Sequence, residues 1–86
     1  MTETRQKTLF VANRGEIALR IIRAGSRLGL RVACGFSEAD RDASYLAAAD
    51  DAICIGPAAA SKSSLNIPAI ISAARLLKAD LIHPGY

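Results

Sequence analysis

Two short polar clusters hold most of the side chains that could take part in chemistry. Asn13-Arg14-Gly15-Glu16 follows the apolar run Thr8 to Ala12, and His83-Pro84-Gly85-Tyr86 follows Leu81-Ile82. Each sits where a buried strand gives way to a loop. In an open α/β sheet, ligands bind in the crevice beyond the carboxyl ends of the strands. The groups brought there are an amide, a guanidinium, a carboxylate, an imidazole and a phenol. His83 is the only histidine, so it has no second imidazole for a metal and no Ser-His-Asp set can be assembled around it. Tyr86 is open to two readings, an exposed ring or a stacking platform.

The first turn, within "VANRGEIAL", stands where nucleotide-binding folds carry a phosphate loop. A dinucleotide site needs G-x-G-x-x-G there, so that bare backbone can approach a pyrophosphate. Only Gly15 is present, and Asn13 and Arg14 put side chains where the ligand would lie. A P-loop fails for want of Gly-Lys-Ser/Thr. Glu16 has a structural reading as a carboxylate favoured by the helix dipole.

Two charge patterns lie outside these clusters. Arg20, Arg23 and Arg27 recur at i, i+3 and i+7, with Arg31 just beyond, in one narrow sector. Like charges a turn apart are mildly destabilising, so the stripe has a cost unless something negative meets it. A solvated face, a protein interface and a nucleic-acid contact are the three readings. In "SEADRDA", Glu38, Asp40 and Asp42 share one loop, but the glycine and terminal glutamate of a calcium loop are missing. A capped turn is expected.

These residues need a scaffold, and the pattern supplies one. Thr8 to Ala12 suits a strand buried on both faces. Ile17, Ile21, Ala24 and Leu28 then fall at i, i+4, i+7 and i+11, the apolar face of a helix ended by Gly29. Arg31 to Phe36 is a second strand, Ala43 to Ala49 a short helix, and "DAICIG" a third strand. "AAASKSS" is a connector. Asn66 caps a helix with Pro68 in its first turn and an apolar stripe of Ile67, Ile70, Ile71, Ala74 and Leu77. Leu81-Ile82-His83 is a fourth, buried strand. The expected fold class is α/β: a Rossmann-like parallel sheet of about four strands, βαβαβαβ, with helices on both faces.

Composition agrees with a small globular domain. Of 86 residues, 51% are hydrophobic and 5% aromatic, which favours helices packed on a sheet over a small β-barrel. The net charge of +3 is mild for a nucleic-acid module. Cys34 and Cys54 lie in apolar runs without metal-ligand spacing and read as buried, reduced thiols. The polar start, residues 1–7, reads as a flexible terminus with no signal or transit peptide, and nothing approaches a membrane span. The expectation is a soluble cytoplasmic chain, or one of the mitochondrial matrix if eukaryotic.

The runs "VANRGEIALRIIRAG", "SEADRDA", "ADDAICIGPA", "SLNIPAIISAA" and "IHPGY" together resemble the N-terminal domain of biotin carboxylase, the ATP-dependent component of acyl-CoA and pyruvate carboxylases. The resemblance covers residues 8–86, in the family's order and spacing. It implies a pre-ATP-grasp lobe and a chain truncated before the ATP-grasp domain. It also implies ATP, Mg2+ and carrier-bound biotin as cofactors of the whole enzyme, with none bound tightly by this fragment, which is expected to be inactive alone. Partners implied are the ATP-grasp remainder of the polypeptide, a biotin carboxyl carrier protein or domain, a carboxyltransferase and a second copy in a homodimer, with no nucleic acid and no membrane.

On the biotin/bicarbonate side, the resemblance assigns the pocket wall to His83, Gly85, Tyr86, Asn13, Arg14, Gly15 and Glu16. It assigns the dimer interface to Arg20, Arg23 and Arg27, and places no catalytic or metal-binding residue within these residues. Tyr45 stands where His is usual, Ser64 where Tyr is usual, and Arg27 where an acid is common, which removes an acidic partner from the dimer contact. The alternative is a stand-alone α/β interaction module using the arginine face of the first helix.

Overall fold

The computed structural model describes residues 6–57 and 66–84. The expected connector, Ser64, Gly85, Tyr86 and most of the polar start lie outside them. Within these residues the chain runs β1 (Thr8–Val11), α1 (Gly15–Arg27), β2 (Arg31–Ser37), β3 (Asp51–Gly56), α2 (Ile67–Leu76) and β4 (Leu81–His83). Two short 3-10 turns, Glu38–Asp40 and Ser44–Ala48, lie between β2 and β3.

All strand pairs are parallel, in the order β3-β2-β1-β4. β1 is therefore interior, and its run of consecutive apolar residues follows from burial on both sides. Side chains alternate across the sheet. Leu9, Val11, Val32 and Cys34 face α1 and Tyr45, while Phe10, Ala12, Ala33 and Ile55 face α2. Helices thus cover both faces, as the alternation of elements requires.

The amino-terminal ends of the strands are closed by two matching devices. Asp80, just before β4, accepts the Thr8 N–H on its carboxylate at 2.8 Å and donates its own N–H to the Thr8 carbonyl at 2.8 Å. Asp50, just before β3, does the same for Val32, again at 2.8 Å and 2.8 Å. Each aspartate thereby pairs a strand-end donor that the ladder leaves open. An ion pair between Arg31 and Asp51 joins the starts of β2 and β3.

Several expectations are corrected. The buried stripe of α1 is Ala18, Ile22 and Gly25, not Ile17, Ile21, Ala24 and Leu28; Ile17 is 46% exposed and Leu28 78%. The two series share a period and differ by one residue, and close packing selects the one with small residues. A Cβ on Gly25 would stand 2.9 Å from Val32 Cγ2 and 3.0 Å from Leu9 Cδ2, so α1 lies against the sheet where only glycine fits. Its end is a Schellman turn, with Leu30 N–H bonded to the Gly25 carbonyl at 3.0 Å.

In α2 the buried residues are Ile70, Ala73 and Ala74, with Ile67 and Ile71 exposed. Its predicted cap holds: the Asn66 side chain accepts the Ala69 N–H at 3.1 Å. The short helix expected over Ala43 to Ala49 is a 3-10 turn rather than an α-helix. Leu81 and Ile82 are not buried, because β4 forms one edge of the described sheet. Cys34 is buried, but Cys54 is only partly so; both are free thiols. No helix among the described residues is long and apolar enough to cross a membrane.

Candidate functional site

Strand order locates the site. From β1 the chain steps to β2 and β3 on one side, and β4 returns to the other side of β1. The order reverses between β1 and β4, and such a switch point opens a crevice at the carboxyl ends of the two strands. Asn13 follows β1 there and Pro84 follows β4. The Asn13 side-chain amide donates to the Pro84 carbonyl at 3.0 Å, and its oxygen accepts the Arg14 N–H at 2.7 Å. One asparagine thus ties both strand ends to the start of α1. Just below it, Ala12 N–H donates to the His83 carbonyl at 3.0 Å.

Arg14 is the N-cap residue of α1 in extended conformation, with no side-chain cap bond. Gly15 follows at φ +61°, a left-handed conformation that glycine adopts without the steric cost of a side chain. The Arg14 side chain reaches sideways to the loop after β2, where its Nε lies 3.4 Å from Asp40 Oδ2. The same oxygen accepts the Tyr45 hydroxyl at 3.2 Å. Tyr45 is buried against α1, so burial first and the Asp40 carboxylate second push its phenol above the ordinary range. The Cys34 thiol, deep in the same face, is pushed up to about 12 by burial and then by Asp40.

The rest of "SEADRDA" forms a separate surface cluster. Arg41 makes a bidentate pair with Glu38 at 2.6 and 3.1 Å, and its guanidinium lies over the Phe36 ring at 5.7 Å. Cys54 Sγ donates to Glu38 Oε1 at 3.5 Å. Hydrogen bonding to Arg41, then to Cys54, holds the Glu38 carboxyl below its usual value. The expected side-chain cap is not made: the Ser37 hydroxyl makes no cap bond and is buried without a hydrogen bond among the described residues.

The proposed wall residues therefore divide. Asn13, Arg14, Gly15 and the His83 backbone meet at the switch point. The His83 side chain lines a hollow of about 250 Å³ between α1 and β4, beside Leu9, Ile21, Leu28, Leu30 and Arg20. Glu16 turns along α1 to Arg20 at 3.3 Å, so the arginine stripe does contain an acid. Arg23 and Arg27 are exposed on the same helix. Arg31 is separate, on β2. Sequence reasoning saw Asp40 only as loop charge and Tyr45 only as a departure. Their convergence on Arg14 depends on three segments meeting in space, and no local spacing signals it.

The residues described fit neither Mg2+ nor ATP, two of the groups that the resemblance implies. No three His, Cys, Asp or Glu side chains among them are grouped to hold a metal such as Mg2+. The first turn has one glycine, and its two neighbouring side chains are already engaged, which leaves no backbone cradle for the phosphates of ATP.

Comparison with known proteins adds the wider context. A family model described as the N-terminal domain of biotin carboxylase matches residues 5–86. Biotin carboxylase of Haemophilus influenzae is 59% identical over 76 residues, covering 88% of this chain and 17% of that protein. A crystal structure of a biotin carboxylase–β,γ-ATP complex from Campylobacter jejuni superposes with a TM-score of 0.84 at 54% identity, over 91% of this chain and 18% of that one. The structure of a single-chain, multi-domain long-chain acyl-CoA carboxylase superposes with a TM-score of 0.87 at 40% identity, over 95% of this chain and 8% of that one. The chain therefore spans less than a fifth of each of these relatives.

Proposed function

The chain belongs to the biotin carboxylase N-terminal domain family, and from that membership we infer that it serves as the N-terminal lobe of an ATP-dependent carboxylase acting in the cytoplasm. In this reading the whole polypeptide uses ATP, Mg2+ and bicarbonate to carboxylate biotin on a carrier protein or domain, which then supplies a carboxyltransferase. The lobe contributes scaffold and one wall of the biotin/bicarbonate pocket: Asn13, Arg14, Gly15, Glu16, His83, Gly85 and Tyr86. The nucleotide and metal are held by the ATP-grasp part, since the residues described here fit neither.

The observation that carries this reading is the Asn13–Pro84 hydrogen bond across the switch point. It sets the β4-end loop against the turn that carries Arg14, and these two places hold the motifs, "ANRGEIA" and "IHPGY", that together are highly specific for the family. The Asn13 amide and the backbone at the two strand ends then stand together as one fixed wall, an arrangement suited to positioning a substrate rather than to cutting bonds. In the same reading, Arg20, Arg23 and Arg27 meet a second copy of the protein.

Biotin- and bicarbonate-dependent ADP release by the full-length polypeptide is the test. The expected result is turnover by the whole protein and none by the 86-residue chain alone. ADP release that ignores both biotin and bicarbonate would remove the carboxylase reading. Biotin-dependent release by the isolated chain would remove the scaffold assignment. For the second surface, Arg23→Glu is expected to lower the mass in sedimentation from dimer to monomer, and an unchanged mass excludes it.

A further inference from the structure

Two apolar stripes run along α1, and the lobe buries one of them. Ala18, Ile22 and Gly25 lie against the sheet. Ile17, Ile21, Ala24 and Leu28 keep the same period one residue earlier, a rotation of about 100° around the helix. That rotation turns the second stripe toward β4, where Ile21, Ala24 and Leu28 line the hollow of about 250 Å³. From the sheet, Leu9 and His83 line it too.

Parallel pairing sets Leu81 beside Leu9 and His83 beside Val11, so both β4 side chains lie on the α1 side of the sheet. On this side α1 packs chiefly over β1 and β2, next to the second 3-10 turn, and no β4 residue joins the core cluster. Leu28 stays 78% exposed and Leu81 47%. A contiguous apolar surface of this kind marks a contact.

Three features select what makes that contact. A small molecule would find few polar groups to orient it: besides His83 only Arg20 lines the hollow, and Arg20 is paired with Glu16 at 3.3 Å. A second copy meeting the arginines would stand elsewhere, since Arg23 lies about a third of a turn around α1 from the apolar stripe. The continuing polypeptide, by contrast, starts beside the hollow, because Pro84 directly follows His83. These residues match the family's N-terminal domain and span less than a fifth of the relatives compared. The greater part of such a polypeptide therefore follows a point that adjoins the open face.

We propose that the hollow between α1 and β4 seats a segment of the same polypeptide from beyond Tyr86, which lays apolar side chains against Ile21, Ala24, Leu28 and Leu81 and so fixes the lobe to the rest of the protein. This rests on the reading of the chain as the N-terminal lobe of a larger protein. The second stripe of α1 is then core in the whole protein and surface in the lobe.

The test is hydroxyl-radical footprinting of the native full-length polypeptide, read residue by residue by mass spectrometry. Leu28 and Leu76 are 78% and 75% exposed in the lobe, so uncovered they react alike, and Leu76 lies on α2, across the sheet from the hollow. Leu28 is expected to react about fivefold more slowly than Leu76, as a side chain brought close to core burial does. The difference persists on dilution and in Arg23→Glu, because the covering segment belongs to the same chain. Leu28→Asp is expected to speed the reaction of Leu81 about threefold, since a carboxylate in an apolar seat displaces the segment. Leu76→Asp leaves Leu81 unchanged.

Equal rates for Leu28 and Leu76 in a polypeptide longer than 86 residues overturn the proposal and leave the lobe reading standing. Protection that disappears on dilution or in Arg23→Glu assigns the hollow to a second copy instead. A Leu81 rate unmoved by Leu28→Asp removes the shared seat. A native polypeptide that ends at Tyr86 removes the lobe reading and the proposal together.

Discussion

The two ends of the sheet use the same side-chain chemistry for opposite purposes. At the amino-terminal ends, Asp50 and Asp80 turn back onto the backbone of the next strand and saturate it, each accepting one N–H and donating its own. At the carboxyl ends, Asp40 takes a hydroxyl and a guanidinium instead, and Arg14 remains largely exposed. The first arrangement satisfies strand-end donors that would otherwise be left partly buried and unpaired. The second joins three segments through one carboxylate oxygen while leaving the cation largely exposed. Backbone donors are satisfied at one end, and side chains from separate segments are tied together at the other.

That contrast can be broken by substitution. Asp80→Ala and Asp50→Ala each strand a part-buried strand donor and are expected to cost about 1.5–3 kcal/mol, read as a lower urea midpoint. Equal losses from Arg14→Ala would erase the distinction. Asn13→Ala should cost only about 0.5–1.5 kcal/mol. Its mark is local: faster hydrogen exchange at the Arg14 amide, with the Thr8 and Val32 amides unchanged.

Titration sharpens the contrast further. The Cys34 thiol is raised from 9.0 to about 12 by burial and Asp40. A raised folded value means that its contribution to stability is complete below the unfolded value and is lost as pH rises through the folded one. Thermal melting should therefore weaken between pH 9.0 and about 12. Iodoacetamide at pH 8 should label Cys54 and reach Cys34 only on unfolding. Labelling of both thiols in the native protein would contradict the packing of that face.

The smallest expected effect belongs to the exposed Glu38–Arg41 pair. Its carboxyl is depressed below 4.5, so the pairing is present above that value and is lost as pH falls through the lower, folded one. Arg41→Ala should return the Glu38 titration, followed by NMR of the carboxyl carbon, toward 4.5 with no change in melting temperature. A midpoint that does not move would mean that the pair seen here does not persist in solution.

Much of the fold was legible before the structure. β3 matches its expected bounds, β1 and β2 match to within a residue, and the Asn66 cap is as read. Which stripe of α1 would be buried was not legible, because Ile17-Ile21-Ala24 and Ala18-Ile22-Gly25 have the same period. Hydrophobicity favours the first, and the fit of Gly25 against Val32 and Leu9 selects the second. The candidate site was half visible for a similar reason. Asn13 and Arg14 announce themselves as a polar break after an apolar strand, whereas Asp40 and Tyr45 join them only through space.

By itself, the sequence determined the order of strands and helices, the polar clusters beyond two of the strands, and the family. It could do so because hydrophobic period, turn residues and motif spacing are properties of neighbours along the chain. Only the tertiary structure decided which strands are interior, where the strand order reverses, and which distant side chains share one carboxylate oxygen. Those depend on how helices pack against a sheet, and close packing distinguishes between residues that a periodic pattern treats alike.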